Sequence, residues 1–199
     1  MALLELDQPL PNTLLDGEVK DDKGAPRRLR EYLGGASTLL VFLRHFGCIG
    51  CSQQVDAIAP RLDDLVAAGL RIVLVGNGDP KYIPGFVERQ RLTGYPVTVV
   101  TDPSLCAHRA AGFGRSVWAS IGPRALWSDV RAYCRGYFGS GAQGDLWQQG
   151  GILLVDADAK LAFRAASRVA PDPVAIDTIV DAVVKQLARS ARAGGKTLA

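Results

Sequence analysis

Two segments, Thr38-Leu39-Leu40-Val41-Phe42-Leu43 and Leu70 to Val75, are apolar at successive positions rather than alternating. That is the pattern of strands buried on both faces in a sheet covered by helices. Between them Cys51, Val55, Ile58, Leu62, Leu65 and Val66 recur three or four apart, which predicts one helix over 48–68, closed by Gly69. Asn77-Gly78-Asp79-Pro80 offers a turn and a helix start, with Ile83, Phe86 and Val87 facing the core. Pro96 to Val100 reads as a third strand, followed by a helix that holds Leu105, Cys106, Ala107 and Ala110, with Cys106 on its buried side. Gly112 and Gly114 end it. Gly151 to Val155 and Leu161 to Ala165 form an expected hairpin. A last helix begins at Asp172-Pro173 and carries Ile176, Ile179, Val180, Val183, Val184 and Leu187 on one side. Ahead of all these, Gly17 to Asp22 suggests an early strand, and Gly24-Ala25-Pro26 turns into a short helical piece with Leu29, Tyr32 and Leu33.

Strands alternating with helices, then a hairpin and a final helix, predict an α/β fold with a central mixed β-sheet flanked by helices on both faces. The right-handed crossover rule places the helix start at Cys48 at the carboxyl edge of the Thr38 strand. Residues 115–149 fit this alternation least, because Trp118, Trp127, Tyr133, Tyr137, Phe138 and Trp147 crowd between Gly-rich turns. They read as an aromatic-rich insertion, with a helix from Pro123 to Tyr137 that covers one edge. Its aromatics form either a small core of their own or a groove for a partner or substrate. The expected organisation is one domain over 1–190 and a flexible tail over 191–199.

Composition narrows the function. With 199 residues, 48% of them hydrophobic, the chain can bury one sizeable core without disulfide staples. The 23 basic and 20 acidic residues are spread along the chain, so no nucleic-acid partner is expected. No apolar run approaches the roughly 20 residues that span a bilayer, so no membrane partner is expected either. The acidic start Met1 to Asp7 does not resemble a secretory signal, and the cytoplasm is the expected location.

The chemistry-bearing stretch is Cys48-Ile49-Gly50-Cys51, which directly follows the first buried strand. A helix beginning at Cys48 presents free N–H groups and a positive dipole end, which favour thiolate over thiol, and Cys51 lies one turn on. Cys48 is the candidate nucleophile and Cys51 the resolving partner. A structural disulfide across so short a loop would contribute little. Zinc would need His45, Cys106 and His108 to converge on the pair, since no second Cys-x-x-Cys exists; no metal or other cofactor is expected. His45 and Arg44 are candidates for stabilising a thiolate or orienting a substrate; alternatively Arg44 ends the strand in solvent and His45 only packs. Cys106 and Cys134 are either additional resolving thiols or, as their helical and aromatic surroundings favour, ordinary packing residues.

These residues resemble the alkyl hydroperoxide reductase/thiol-specific antioxidant (peroxiredoxin-like) family of the thioredoxin-like fold. The resemblance rests on Leu43-Arg44-His45-Phe46-Gly47-Cys48-Ile49-Gly50-Cys51, on Tyr95 to Pro103, and on Gln149 to Lys160, and is nearest to a Cys-x-x-Cys branch related to selenoprotein U. It implies a thioredoxin-like fold and a thiol-disulfide oxidoreductase or peroxiredoxin-like antioxidant protein. The substrate would be a disulfide-bearing protein or a small hydroperoxide, with a thioredoxin-type or glutathione-type electron donor. Peroxiredoxins keep a proline seven residues before the attacking cysteine and a threonine or serine three before, where this chain has Val41 and His45. Gly150 stands where peroxiredoxins bring an arginine and thioredoxins a cis-proline, and Trp147 lies near it in sequence. The resemblance with these departures implies disulfide exchange more readily than peroxide reduction. The alternatives are a thiol peroxidase and a non-enzymatic, redox-sensitive binding module.

Overall fold

The computed structural model describes residues 4–137, 139–167 and 174–194. Its strands are β1 (Glu18–Lys20), β2 (Pro26–Arg28), β3 (Thr38–Phe42), β4 (Arg71–Gly76), β5 (Val97–Thr101), β6 (Gly151–Val155) and β7 (Leu161–Ala166). They form one mixed sheet in the order β2-β1-β5-β4-β3-β6-β7, with β3 parallel to β4, β4 parallel to β5, and β6 antiparallel to both β3 and β7. The helices are α1 (Asn12–Leu15), α2 (Ile49–Ile58), α3 (Leu62–Ala67), α4 (Tyr82–Arg89), α5 (Cys106–Ala110), α6 (Val117–Ile121), α7 (Pro123–Cys134) and α8 (Ile176–Gly194).

β3 is central because every one of its residues is buried, and the period-two pleat divides them between two cores. Leu39 and Val41 join Ile72, Leu74, Ile152 and Leu154 against α2, α3, α4 and α8. Leu40 and Phe42 join Val73, Val75, Leu153 and Val155 against Leu14 of α1, Ala107 of α5 and Phe113. Each such side chain contributes about 1.5–3 kcal/mol when fully buried, so the three central strands carry much of the burial that stabilises the fold. The carboxyl end of β3 is thereby fixed where the cysteine pair begins.

Several expectations need correction. The helix predicted over 48–68 is α2, a 3-10 turn at Ala59–Arg61, and α3. Pro60 lacks the amide that would continue the ladder, yet Cys51, Val55, Ile58, Leu62 and Leu65 remain buried because the turn preserves their phase. Gly69 ends the run at φ +82°. Pro26–Arg28, expected to lead into a helix, pairs antiparallel with β1, and the winding that follows at Leu29–Tyr32 is a 3-10 turn. Cys106 is exposed because Leu105, at φ 60°, turns the chain so that Ala107 and His108 take the inward positions. In α8 Val184 is exposed at 60% and Gln186 is buried in the row expected to be apolar. That helix runs to Gly194, four residues into the expected tail. Phe138, the predicted helix start at Asp172-Pro173 and residues 195–199 lie outside the described residues. Among the described residues no helix is long and apolar enough to cross a membrane.

Candidate active site

Beyond β3 the chain runs through Leu43, Arg44, His45, Phe46 and Gly47 before α2 starts, and all five are buried. Burial of an irregular loop requires its backbone groups to find partners, and here they do. The Leu43 amide donates to the Val75 carbonyl at 2.8 Å. Asn77, just past β4, donates through Nδ2 to the Arg44 carbonyl and accepts the Asp145 amide on Oδ1. From the opposite core, His108 Nε2 meets the Leu43 carbonyl at 3.0 Å while its Nδ1 meets Asp102 Oδ2 at 3.0 Å. Burial opposes ionisation of Asp102, but the side-chain hydrogen bond and charge of His108 hold its carboxyl below the usual range. Both ring nitrogens thus face oxygen atoms, so the ring is held from two directions. Phe46 fills the space over Gly76, where a Cβ would strike its ring, and packs on Phe86 with ring centroids 5.2 Å apart. The loop is clamped from both sides of the sheet.

Cys48 is the N-cap of α2, with φ −76° and ψ 128°, and Cys51 lies in its first turn. Both are reduced and buried. Hydrogen bonding from the Cys51 side chain lowers the Cys48 thiol to about 7 against the opposing cost of burial, and the Arg44 charge and the Cys51 and Gly50 amides act in the same direction. Burial pushes Cys51 up, its hydrogen bond to Cys48 adds to this, and the Arg44 amide, 3.1 Å from its sulfur, counters only part. Proton and charge are thus divided between the two thiols, with the thiolate favoured at the helix start.

Each sulfur borders its own cavity. Cys48 opens on a cleft of about 420 Å³ walled by His45, Ile49, Ser120, Leu146 and Trp147. Cys51 borders a void of about 30 Å³ lined by Val41, Gln54, Gly150, Ile152, Ser167 and Val174. Arg44 lines both. Its side chain is buried at 4% exposure, which corrects the reading that places it in solvent. Nη2 donates to Ser120 Oγ at 2.7 Å and Nε to the Gln148 carbonyl at 3.3 Å, while Nη1 is buried with no hydrogen-bond partner. His45 is held low, to about 4, by burial and then by Arg44, so it faces the cleft neutral at ordinary pH, with Nδ1 unpartnered.

Gly150 precedes β6 and presses against the end of β3: a Cβ there would collide with the Phe42 carbonyl oxygen and crowd the Arg44 amide. No described peptide bond is cis. Gln149 Nε2 donates to Ser120 Oγ and to the Ser116 and Trp147 carbonyls, tying the strand end to α6. Sequence reasoning missed Asn77, Gln148, Gln149 and the Asp102–His108 pair. Asn77 carried a weak signal, an Asn-Gly turn at a strand's carboxyl end; the others carried none.

The remaining candidates lie elsewhere. Cys134, expected to pack among aromatics, is exposed, as is Cys106. Trp118, Trp127 and Tyr133 are exposed at 80%, 67% and 62%, so they do not form the small core considered for them. α7 packs on α2 rather than along a sheet edge. Among the described residues no three His, Cys, Asp or Glu side chains are placed to hold a metal, and His108 is committed to Asp102 and Leu43.

Comparison with known proteins agrees with this architecture. Thioredoxin-like protein AAED1, chloroplastic, of Arabidopsis thaliana is 28% identical over 145 residues, 69% of this chain; the match spans only 57% of the plant protein's length. Peroxiredoxin-like 2C of Bos taurus is 26% identical over 187 residues, covering 88% of this chain and 80% of the bovine one. Peroxidoxin BcpB of Mycobacterium tuberculosis superposes with a TM-score of 0.63 over 94% of this chain and 97% of its own, at 16% identity, which shows a shared thioredoxin-like, peroxiredoxin-type fold. The model of the AhpC/TSA antioxidant enzymes matches residues 57–168, the stretch that carries α3, β4, β5 and β6 behind the cysteine pair, and the chain belongs to that family.

Proposed function

We propose that the protein is a thiol-dependent oxidoreductase in which Cys48 is the nucleophile and Cys51 the resolving thiol. The observation that carries this reading is the division between them: Cys48 caps a helix, is held toward the thiolate and borders a cleft, while Cys51 is held protonated behind it. With a disulfide substrate, the Cys48 thiolate attacks one sulfur, a mixed disulfide forms and the other substrate sulfur leaves as a thiolate. Cys51 then gives up its proton and attacks the Cys48 sulfur; the intramolecular disulfide forms and the second substrate thiolate leaves. Two electrons have passed to the substrate, and a thioredoxin-type or glutathione-type dithiol or thiol donor returns them. A reducing compartment such as the cytoplasm suits this cycle.

A second reading, hydroperoxide reduction, is favoured by one feature. The family's usual arginine is replaced by Gly150, but the Arg44 guanidinium lines the same cleft as Cys48, and its Nη1 is buried there with no hydrogen-bond partner. There the Cys48 thiolate would take the distal peroxide oxygen to become a sulfenic acid, alkoxide would leave against the guanidinium, and Cys51 would condense with the sulfenic acid to release water.

Mass spectrometry of alkylated thiols after graded disulfide and hydroperoxide exposure tests both. The expected product is a Cys48–Cys51 disulfide, with mixed disulfides accumulating in Cys51→Ser and nothing in Cys48→Ser. Failure of Cys51→Ser to trap any disulfide partner, together with failure of the wild-type pair to cycle with dithiol reductants, overturns the oxidoreductase reading. Rapid, saturable hydroperoxide turnover lost in Cys48→Ser establishes the peroxidase over simple disulfide exchange.

A further inference from the structure

α7 is inverted relative to an ordinary surface helix. Leu126, Trp127, Val130 and Tyr133 fall on one band of it and are exposed at 64%, 67%, 48% and 62%, while Ala132 on the opposite side is buried at 1%. The large apolar side chains face out and the small one faces the molecule. α6 extends the band: Val117 and Trp118 are exposed at 50% and 80%, and the Gly122 amide closes onto the Trp118 carbonyl at 2.9 Å, joining the helices in a tight elbow. The three rings alone present on the order of 400 Å² to solvent, comparable to the largest patch on a typical monomer.

Positive charge predominates in the sequence around this face. Residues 103–144 hold five arginines and a single aspartate, and Arg131 and Arg135 are exposed at the flank of the α7 band. A second copy of the chain docked on the same face would bring its Arg131 and Arg135 toward those of the first. A convex helix elbow also offers a protein partner no recess to fill, whereas a lipid surface accepts any convex apolar face. Tryptophan and tyrosine, with an apolar body and a polar edge, suit the headgroup boundary, and arginines beside them suit anionic headgroups.

We propose that the α6–α7 elbow docks on an anionic phospholipid surface, inserting Trp118, Leu126 and Trp127 into the interface with Arg131 and Arg135 against headgroups. The assignment stands apart from the cysteine chemistry. α7 rests on α2, whose first turn holds the cysteine pair, so docking would bring the Cys48 cleft near the lipid.

Flotation of the full chain with phosphatidylcholine vesicles, with and without phosphatidylserine, tests it. Binding is expected to phosphatidylserine-containing vesicles, with a blue shift of tryptophan emission and weakening by salt. Arg131→Glu with Arg135→Glu, and separately Trp118→Ser with Trp127→Ser, should each lower the binding constant by about tenfold or more. All four residues are exposed, and unchanged circular dichroism and Cys48 alkylation confirm intact folds. Absence of wild-type flotation at low salt, or equal flotation of the variants, overturns the proposal. So does a wild-type dimer in lipid-free sedimentation that the tryptophan variants abolish, which assigns the face to a second copy.

Discussion

Cys48 and Cys51 are one helical turn apart along α2 and their thiols meet, yet their surroundings are opposite. On the Cys48 side lies a roomy cleft edged by helix amides, a neutral imidazole and an indole; on the Cys51 side lies a void of about 30 Å³ between α2, the end of β3 and Gly150. The difference shows that the tetrapeptide does not by itself define nucleophile and resolver. The Cys51 side chain, then Arg44 and the amides of the helix start, stabilise the first thiolate against burial, whereas burial keeps the second thiol protonated. Among the described residues only Arg44 lines both cavities, and its amide donates to the Cys51 sulfur.

The largest expected effect breaks this symmetry by titration. With Cys48 held at about 7, half of it is thiolate at pH 7, whereas Cys51, raised well above its ordinary value, stays protonated there. Even after allowing for the lower intrinsic nucleophilicity of a more acidic thiolate, Cys48 should alkylate about tenfold faster or more. Its rate should rise through about pH 7 and level off above it, and pH-resolved alkylation with peptide mapping measures both. Cys51→Ala removes the largest stabilising contribution, so the Cys48 midpoint should move up and the rate at pH 7 fall. Arg44→Met should move it the same way by less. Equal rates for the two thiols would end the comparison.

A second, smaller effect belongs to the Cys51 side alone. Gly150→Ala sets a methyl against the Phe42 carbonyl and the Arg44 amide, and neither is a flexible side chain that can swing aside. Overpacking of this kind costs about 2 kcal/mol and lowers Tm by about 5 °C in a chain of this length. Because the displaced amide is the one that donates to Cys51, closure of the disulfide should slow while alkylation of Cys48 keeps its midpoint. Calorimetry and stopped-flow resolution kinetics separate the two. An unchanged Tm would mean that the strand end gives way more easily than its burial indicates.

What was legible in the sequence follows the range of the forces. β3, β4 and the buried phase of α2 and α3 were readable because each is written in local apolar periodicity, and Pro60 altered the helix without altering that phase. β2 was not, since its three exposed residues carry no pattern and pair only with β1. The cysteines were legible as chemistry because spacing and a preceding strand suffice. Arg44 was not legible as a buried group, because its partners Ser120 and Gln148 lie 76 and 104 residues away. The Asp102–His108 clamp on Leu43 is hidden for the same reason: six residues separate the pair, but 65 separate it from the carbonyl it holds.

The smallest effect should come from the cleft wall. The Trp147 backbone is held independently of its ring: its amide donates to Asp145 Oδ1 at 2.8 Å, and its carbonyl accepts the Ser116 amide at 2.8 Å and Gln149 Nε2 at 3.0 Å. Trp147→Ala therefore removes the half-buried indole and leaves the strand approach in place. Loss of partial apolar contact with a substrate costs about 1 kcal/mol, or roughly fivefold in binding. For a bulky aromatic hydroperoxide KM should rise by about that factor with kcat little changed. For hydrogen peroxide, too small to touch the wall, neither should move. Disulfide closure and the slow alkylation of Cys51 should also be unaffected, because the ring borders only the Cys48 cleft. A matching loss with hydrogen peroxide would mean that the indole supports the Arg44–Cys48 geometry instead of the substrate, and the two sides of the pair would then be coupled through their walls as well as through Arg44.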